Sequence, residues 1–403
     1  MKEQPIAQTT ATPAAKTGSG RKFSIQRLVP AFILLTMGGL CGISIGRLIK
    51  MMERTGANPG ELLTTCGLLL LGLYAALFGQ IVLHEAGHMI AGWFSGYTFT
   101  SFRVGSLMCV RQSGRLRLRR LSLAGTGGQC LMNPPEYRGG RIPVTLYNLG
   151  GSLANLLTAP VFWWLSRLAA GSPRLAMVLE MFALIGLGFA LINGIPLRLA
   201  AVDNDGRNII TLRQDPKGMY AFWLQMRINA MLAEGHRQKD LPAEWFTMPD
   251  DADLHNSMVA ARAVLSVGRM IDRHDFTQAE QAIGALLGRD SAMAGIHRLL
   301  LVGESIYLEL IGQGRQERID ALRSKEFEKF AKAMRTYPTI LRVQYGLALL
   351  VEQDGAKAAT IRKEIDKVLA SYPYPGEAEA ERELLAQLDG KAETARITEE
   401  AAN

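Results

Sequence analysis

Residues 82–93 read VLHEAGHMIAGW. Two histidines and a glutamate stand in a run otherwise made of Val, Leu, Ala, Gly, Met, Ile and Trp. N-terminal to them, residues 62–83 carry no charged side chain. An apolar stretch of about 20 residues is long enough to cross the hydrocarbon core of a bilayer. On a helix, positions i and i+4 share a face, so His84 and His88 point the same way. An ionisable group at mid-bilayer costs roughly 2.5–3.5 kcal/mol on insertion scales. Three polar groups held together at this spacing therefore mark chemistry rather than packing. Neutral imidazoles suit zinc, and Glu85 beside them is placed to take a proton from water.

Working outward, three further runs are predominantly apolar. The expected spans cover about 28–49, 62–95, 143–167 and 175–197. The first run is longer than the 7–15 residues of a signal-peptide core, so an uncleaved span is expected. Residues 1–27 form a basic N-terminus, Thr/Ala/Pro/Gly-rich and expected to be disordered. From 207 to 403 the chain is rich in Lys, Arg, Glu and Gln. The expected fold class is mainly α. A polytopic membrane helical bundle of about four spans over 28–206, with a small β-hairpin element, precedes a soluble α-helical domain over 207–403.

The basic residues orient this arrangement. Arg103, Arg111, Arg115, Arg117, Arg119, Arg120, Arg138 and Arg141 crowd the 97–142 loop against Glu136 alone, and Lys16, Arg21, Lys22 and Arg27 precede the first span. The loop 50–61 is balanced. Positive charge stays inside, so the N-terminus, the 97–142 loop and the C-terminal domain of a multi-pass protein of the cell membrane should be cytoplasmic. The formal charge of +8 thus describes an inner membrane face. No basic patch interleaved with aromatics points to nucleic acid. Cys41, Cys66, Cys109 and Cys130 show no CxxC spacing, which argues against a cysteine-ligated metal.

A hydrolytic zinc site usually has three protein ligands. His236, His255, His274 and His297 all lie in the soluble part. The better source is INGIPLRLAAVDNDGRNI, residues 192–209. Asn193 and Gly194 break the last apolar run, Pro196 prevents its resumption, and Asp203 and Asp205 follow. Irregular backbone at membrane depth is tolerated where it lines a cavity.

HExxH in a span, then NLGGSLANLLTAP at 148–160 with Gly151 and Asn155, then N-x-x-P and D-G after a later span, resembles the site-2 protease family of intramembrane zinc metalloproteases. The resemblance covers roughly residues 62–210. It implies that His84, His88 and Asp205 hold zinc and that Glu85 is the catalytic base. It places Asn155 near the site, as a polar partner of substrate or of a developing oxyanion; close helix packing is the other reading of that small-residue stretch. Asn193 and Pro196 would shape the cavity. Here Asp205-Gly206 falls nine residues after Pro196, farther than the common family form places D-G, so Asp203 remains the alternative ligand.

The implied activity is zinc-dependent cleavage of membrane-embedded or membrane-adjacent peptides. Maturation of a small secreted peptide, or a non-proteolytic adaptor role, are the alternatives; a general base retained beside two ligands speaks against the adaptor. The expected partners are a membrane protein or peptide substrate, the lipid bilayer and a protein partner at the helical domain, with no nucleic acid. VRQSGRLRL at 110–118 reads as a hairpin, one edge of which could hold a substrate extended. The soluble helices end at Gly or Tyr-Pro and restart, loosely like tetratricopeptide helix pairs, although the W-x-x-L-G-x-x-Y pattern is missing.

Overall fold

A computed structural model describes residues 25–123, 126–199 and 202–402. Most of the expected disordered N-terminus, residues 1–24, lies outside them. The protein is mainly helical. Four long helices form the apolar part: α1 (Ile25–Arg54), α2 (Pro59–Phe94), α3 (Val144–Leu168) and α4 (Pro173–Gly194). Asn58 and Glu61 start α2 with reciprocal side-chain to backbone hydrogen bonds, and Pro59 sits where its missing N–H costs nothing.

Among the described residues, three helical stretches are long and apolar enough to cross a membrane: Leu28–Arg54, Pro59–Phe94 and Pro173–Gly194. The third expected span, α3, is not among them. Asn148, Ser152, Asn155 and neighbouring glycines dilute its apolar character, and those three polar side chains are buried. Its other face exposes Leu157 and Trp164, as α1 and α2 expose Leu35 and Leu71. Such a band of large exposed apolar side chains is what a lipid-facing surface presents.

Helices α2 and α3 touch backbone to backbone. A Cβ on Gly87 would stand 2.2 Å from the Gly150 carbonyl oxygen, and one on Gly150 2.4 Å from that of Gly87. Small residues at the crossing permit this approach. Helix α4 packs on both, and α1 lies against α4.

Between α2 and α3 the chain forms an antiparallel sheet in the order β3-β2-β1-β4. Its strands are β1 (Thr98–Val104), β2 (Leu107–Gln112), β3 (Arg115–Arg120) and β4 (Gly128–Asn133). The expected hairpin is β2–β3. Ser113 and Gly114 at its tip have φ of 49° and 75°, the positive pair that a two-residue I′ turn needs. The sheet is larger than the expected hairpin because β1 also pairs with β4, from Thr98↔Asn133 to Val104↔Gly128. The face of β2 that carries Met108 and Val110 packs into the core of the helical domain. Along β4, side chains alternate between faces.

After α4 come a short ladder, β5 (Arg198–Leu199) with β6 (Val202–Asp203), and then α5 (Asp205–Gln214) and α6 (Pro216–Ala233). The rest is α7 (Ser257–Asp272), α8 (Phe276–Gly288), α9 (Gly295–Ile311), α10 (Gln316–Leu322), α11 (Lys325–Ala333), α12 (Pro338–Gly346), α13 (Gly355–Ala370) and α14 (Pro375–Ala402). Consecutive helices such as α7 with α8 and α12 with α13 pack as neighbours.

Candidate metal centre

His84, Glu85 and His88 lie on the last three turns of α2 and are buried. The third group arrives from the other end of the bundle. Helix α4 stops at Gly194, and Ile195 is already extended. Asn204 then fastens the returning chain: its Nδ2 donates to the Ile192 and Ile195 carbonyls at 2.6 Å each, and its Oδ1 accepts from Leu197 and Arg207 N–H. The last of these bonds caps α5, which therefore begins at Asp205.

That cap aims Asp205 at the histidines. Its Oδ2 lies 3.2 Å from His84 Nε2 and 3.3 Å from His88 Nε2. The two Nε2 atoms are 3.1 Å apart. Among the described residues, His84, His88 and Asp205 form the group able to hold a metal ion. Asp203 does not join them; it is engaged by Arg207 at 3.0 Å.

The outer nitrogens decide the proton positions. His88 Nδ1 is 2.8 Å from the Tyr147 carbonyl, which can only accept. His84 Nδ1 is 2.7 Å from Asn155 Oδ1. Asn155 is held in that orientation because its Nδ2 donates to Gln80 at both the carbonyl, 3.0 Å, and Oε1, 2.7 Å. Gln80 in turn donates to the Phe182 carbonyl at 2.8 Å. In the neutral tautomer that these partners favour, each imidazole carries its proton on Nδ1 and turns an acceptor Nε2 toward the carboxylate. Three acceptors converging in this way are an arrangement that a cation satisfies.

This network bears on Asn155. Asn155 is fully buried and spends its side chain on His84 and Gln80. It holds His84 in place, and both of its amide hydrogens are directed at Gln80. Asn155→Leu keeps the volume and removes the acceptor, so zinc affinity should fall roughly 10–100-fold; titration with a competing chelator measures it.

Glu85 stands beside the cluster with its carboxylate against β4. A Cβ on Gly128 would lie 2.8 Å from Glu85 Oε1, and the Cys130 N–H reaches the same carboxylate. The Tyr147 hydroxyl donates to the Cys130 carbonyl at 2.9 Å and ties β4 to α3. Asn193 donates to the Phe189 carbonyl within α4, and Pro196 is exposed at the turn; both shape the exit from α4 and lie outside the cluster. Gln80, Tyr147 and Gly151 belong to the site although the motifs do not flag their roles. A Cβ on Gly151 would fall 2.5 Å from His88 Nε2 and from His84 Cε1. No protein-family model, no curated protein and no solved structure matches this chain.

Proposed function

We propose that the chain is an intramembrane zinc endopeptidase that cuts membrane-embedded or membrane-adjacent peptides near the cytoplasmic face. The observation that carries this reading is the convergence of His84 Nε2, His88 Nε2 and Asp205 Oδ2, with both imidazole protons held outward and a carboxylate alongside. Two imidazoles and one carboxylate are a hydrolytic zinc set, and three ligands leave a coordination position open. Zinc held there supplies Lewis-acid polarisation of water and of the scissile carbonyl.

The chain's own groups do the rest. Glu85 takes the proton from the attacking water and returns it to the leaving amine. Asn155 and the Tyr147 carbonyl keep the imidazoles in the ligating tautomer. A helix cannot be cut while its backbone bonds are closed on themselves. Among the described residues, strand β4 is paired on one side only, with β1, and runs past Glu85. Its free edge would hold a peptide extended beside the site by strand addition.

In this reading α3 is the fourth span. The basic 97–142 loop and the helical domain then share the cytoplasmic side with the N-terminus. The test is metal content and cleavage together. Purified wild-type protein should hold close to one zinc per chain and cut a tagged transmembrane reporter with an extended juxtamembrane segment. Asp205→Ala should lose most of both, and Asp203→Ala should keep the metal. Equal zinc loss in the two variants, or a metal-free wild type that still cleaves, removes this assignment.

A further inference from the structure

A second feature lies on the other side of β4. A cavity of about 390 Å³ opens between that strand and helices α6, α7, α9, α12 and α14. Pockets that hold small ligands run roughly 300–1,000 Å³. Much of the wall is apolar, including Leu131, Val264 and Leu300. Against this background sits an unusual charge group. Arg342, 1% exposed, lies on the wall; its Nε donates to Glu381 at 2.8 Å and its Nη2 to Glu304 at 2.9 Å. Its Nη1 has no partner. A third carboxylate, Glu377, lines the same space. The Tyr372 and Gln238 side chains hydrogen-bond to it, but among the described residues no Lys, Arg or His forms an ion pair with it. Burial, followed by the nearby Glu381 charge, pushes its carboxyl up to about 7. The other guanidinium in the wall, Arg237, is already taken by Asp272 at 2.6 Å and by Glu383.

Three carboxyl groups, Glu304, Glu377 and Glu381, thus share the wall with one guanidinium that pairs with two of them, lies 4.0 Å over the Tyr307 ring and keeps one nitrogen without a partner. Glu377 has no cationic partner among the described residues, and the Arg342 Nη1 has no acceptor. A metal ion would supply only the first, and an anion only the second. A peptide bearing Lys or Arg supplies both, since its backbone carbonyl accepts while its side chain is cationic, and its aliphatic stem suits apolar walls. The place is informative too. Gln129 and Leu131 of β4 line this cavity, while Gly128 and Cys130 of the same strand meet Glu85. One strand separates the two sites.

We propose that this cavity binds a short basic peptide segment, its Lys or Arg side chain meeting Glu377 and its backbone carbonyl accepting from Arg342, and that the segment is the cytoplasmic flank of the substrate. Only the last clause rests on the peptidase reading. Cytoplasmic flanks of membrane segments are enriched in Lys and Arg, so the cavity would select for the residues such a substrate presents. The helical domain then acts as a receptor for the flank while β4 holds the part to be cut.

The test reads binding, not cleavage. Full-length Glu85→Gln protein in a non-ionic detergent is titrated with a fluorescent, capped Leu-Lys-Leu-Lys peptide and with the same peptide carrying Glu for Lys. The lysine peptide should bind at least tenfold more tightly. Glu377→Gln and the cavity-filling Val264→Trp, each checked for monodisperse elution, should lose at least tenfold of that affinity. Equal binding of the two peptides overturns the proposal, as does lysine-peptide affinity unchanged in both variants. A rise in affinity on deleting residues 1–24, which carry Lys16, Arg21 and Lys22, would make the chain's own N-terminus the occupant and overturn the substrate assignment. Failure here leaves cleavage by the wild type untouched. Conversely, a protein that proves to cut nothing can still show the lysine preference.

Discussion

Glu85→Gln is expected to retain zinc at the wild-type level and to lose roughly 10²–10⁴-fold in cleavage, the usual contribution of a positioned general base. The substitution is nearly isosteric. It removes the proton acceptor and leaves an amide oxygen that can still receive the Cys130 N–H now directed at the carboxylate. The three converging acceptors come from His84, His88 and Asp205, so the ligand set is unchanged. Metal analysis and single-turnover cleavage on the same preparation separate the two effects. A variant that cuts at the wild-type rate shows that Glu85 is not the base. One that loses its zinc places Glu85 among the ligands. Asp205→Ala should show the opposite pattern, with metal and activity falling together.

The histidines of the cluster that could hold a metal are legible because they announce themselves locally. HExxH places both imidazoles by helix periodicity alone, and polar groups in an apolar run demand a reason. The D-G element is physically motivated as well. A Cβ on Gly206 would lie 2.2 Å from the Gly194 carbonyl oxygen, so the residue after Asp205 has to be glycine for α5 to start so close to the end of α4. Which of Asp203 and Asp205 lies beside the histidines is not legible in the sequence, because it turns on the Asn204 cap and on Arg207. The residues that orient the histidines were less visible. Tyr147 contributes a backbone carbonyl, which leaves no side-chain signature, and Gln80 is one uncharged polar residue in a long apolar helix.

Strands β1 and β4 escaped for a different reason. The β2–β3 hairpin is local, with Ser-Gly at a turn that favours such residues. β4 reads GQCLMN and finds its partner across the hairpin, at Thr98–Val104, so no neighbouring residues encode the pairing. The polar groups that line the cavity beyond β4 are more dispersed still. Gln129, Glu304, Arg342 and Glu377 come from four separate elements, and each looks like an ordinary surface residue of its own strand or helix. In the helical part, helix existence follows from periodicity, whereas what the helices enclose depends on packing that no window of sequence contains.

Gly151→Ala sets two physical effects against each other and should show which one rules this site. In a helix interior, alanine is favoured over glycine by about 1 kcal/mol, so α3 itself should gain stability. The new methyl, however, would stand 2.5 Å from His88 Nε2 and 2.6 Å from His84 Nε2, closer than non-bonded atoms come. The imidazoles cannot move aside freely, because Asn155 and the Tyr147 carbonyl hold their outer nitrogens at 2.7 and 2.8 Å. Relief has to come from displacing the Nε2 atoms out of their shared convergence with Asp205. A misplacement of about 1 Å at a reacting centre can cost on the order of 10²-fold. Compared metal-free, the variant should remain folded at the assay temperature, yet hold less than a tenth of the zinc and lose at least 10²-fold in cleavage. Thermal unfolding by circular dichroism, metal analysis and reporter cleavage read the three quantities independently. Full zinc occupancy with full activity would mean that α3 can retreat from α2 at this point. The close crossing at Gly87 and Gly150, where an added Cβ on either residue would stand 2.2–2.4 Å from the other's carbonyl oxygen, opposes that retreat.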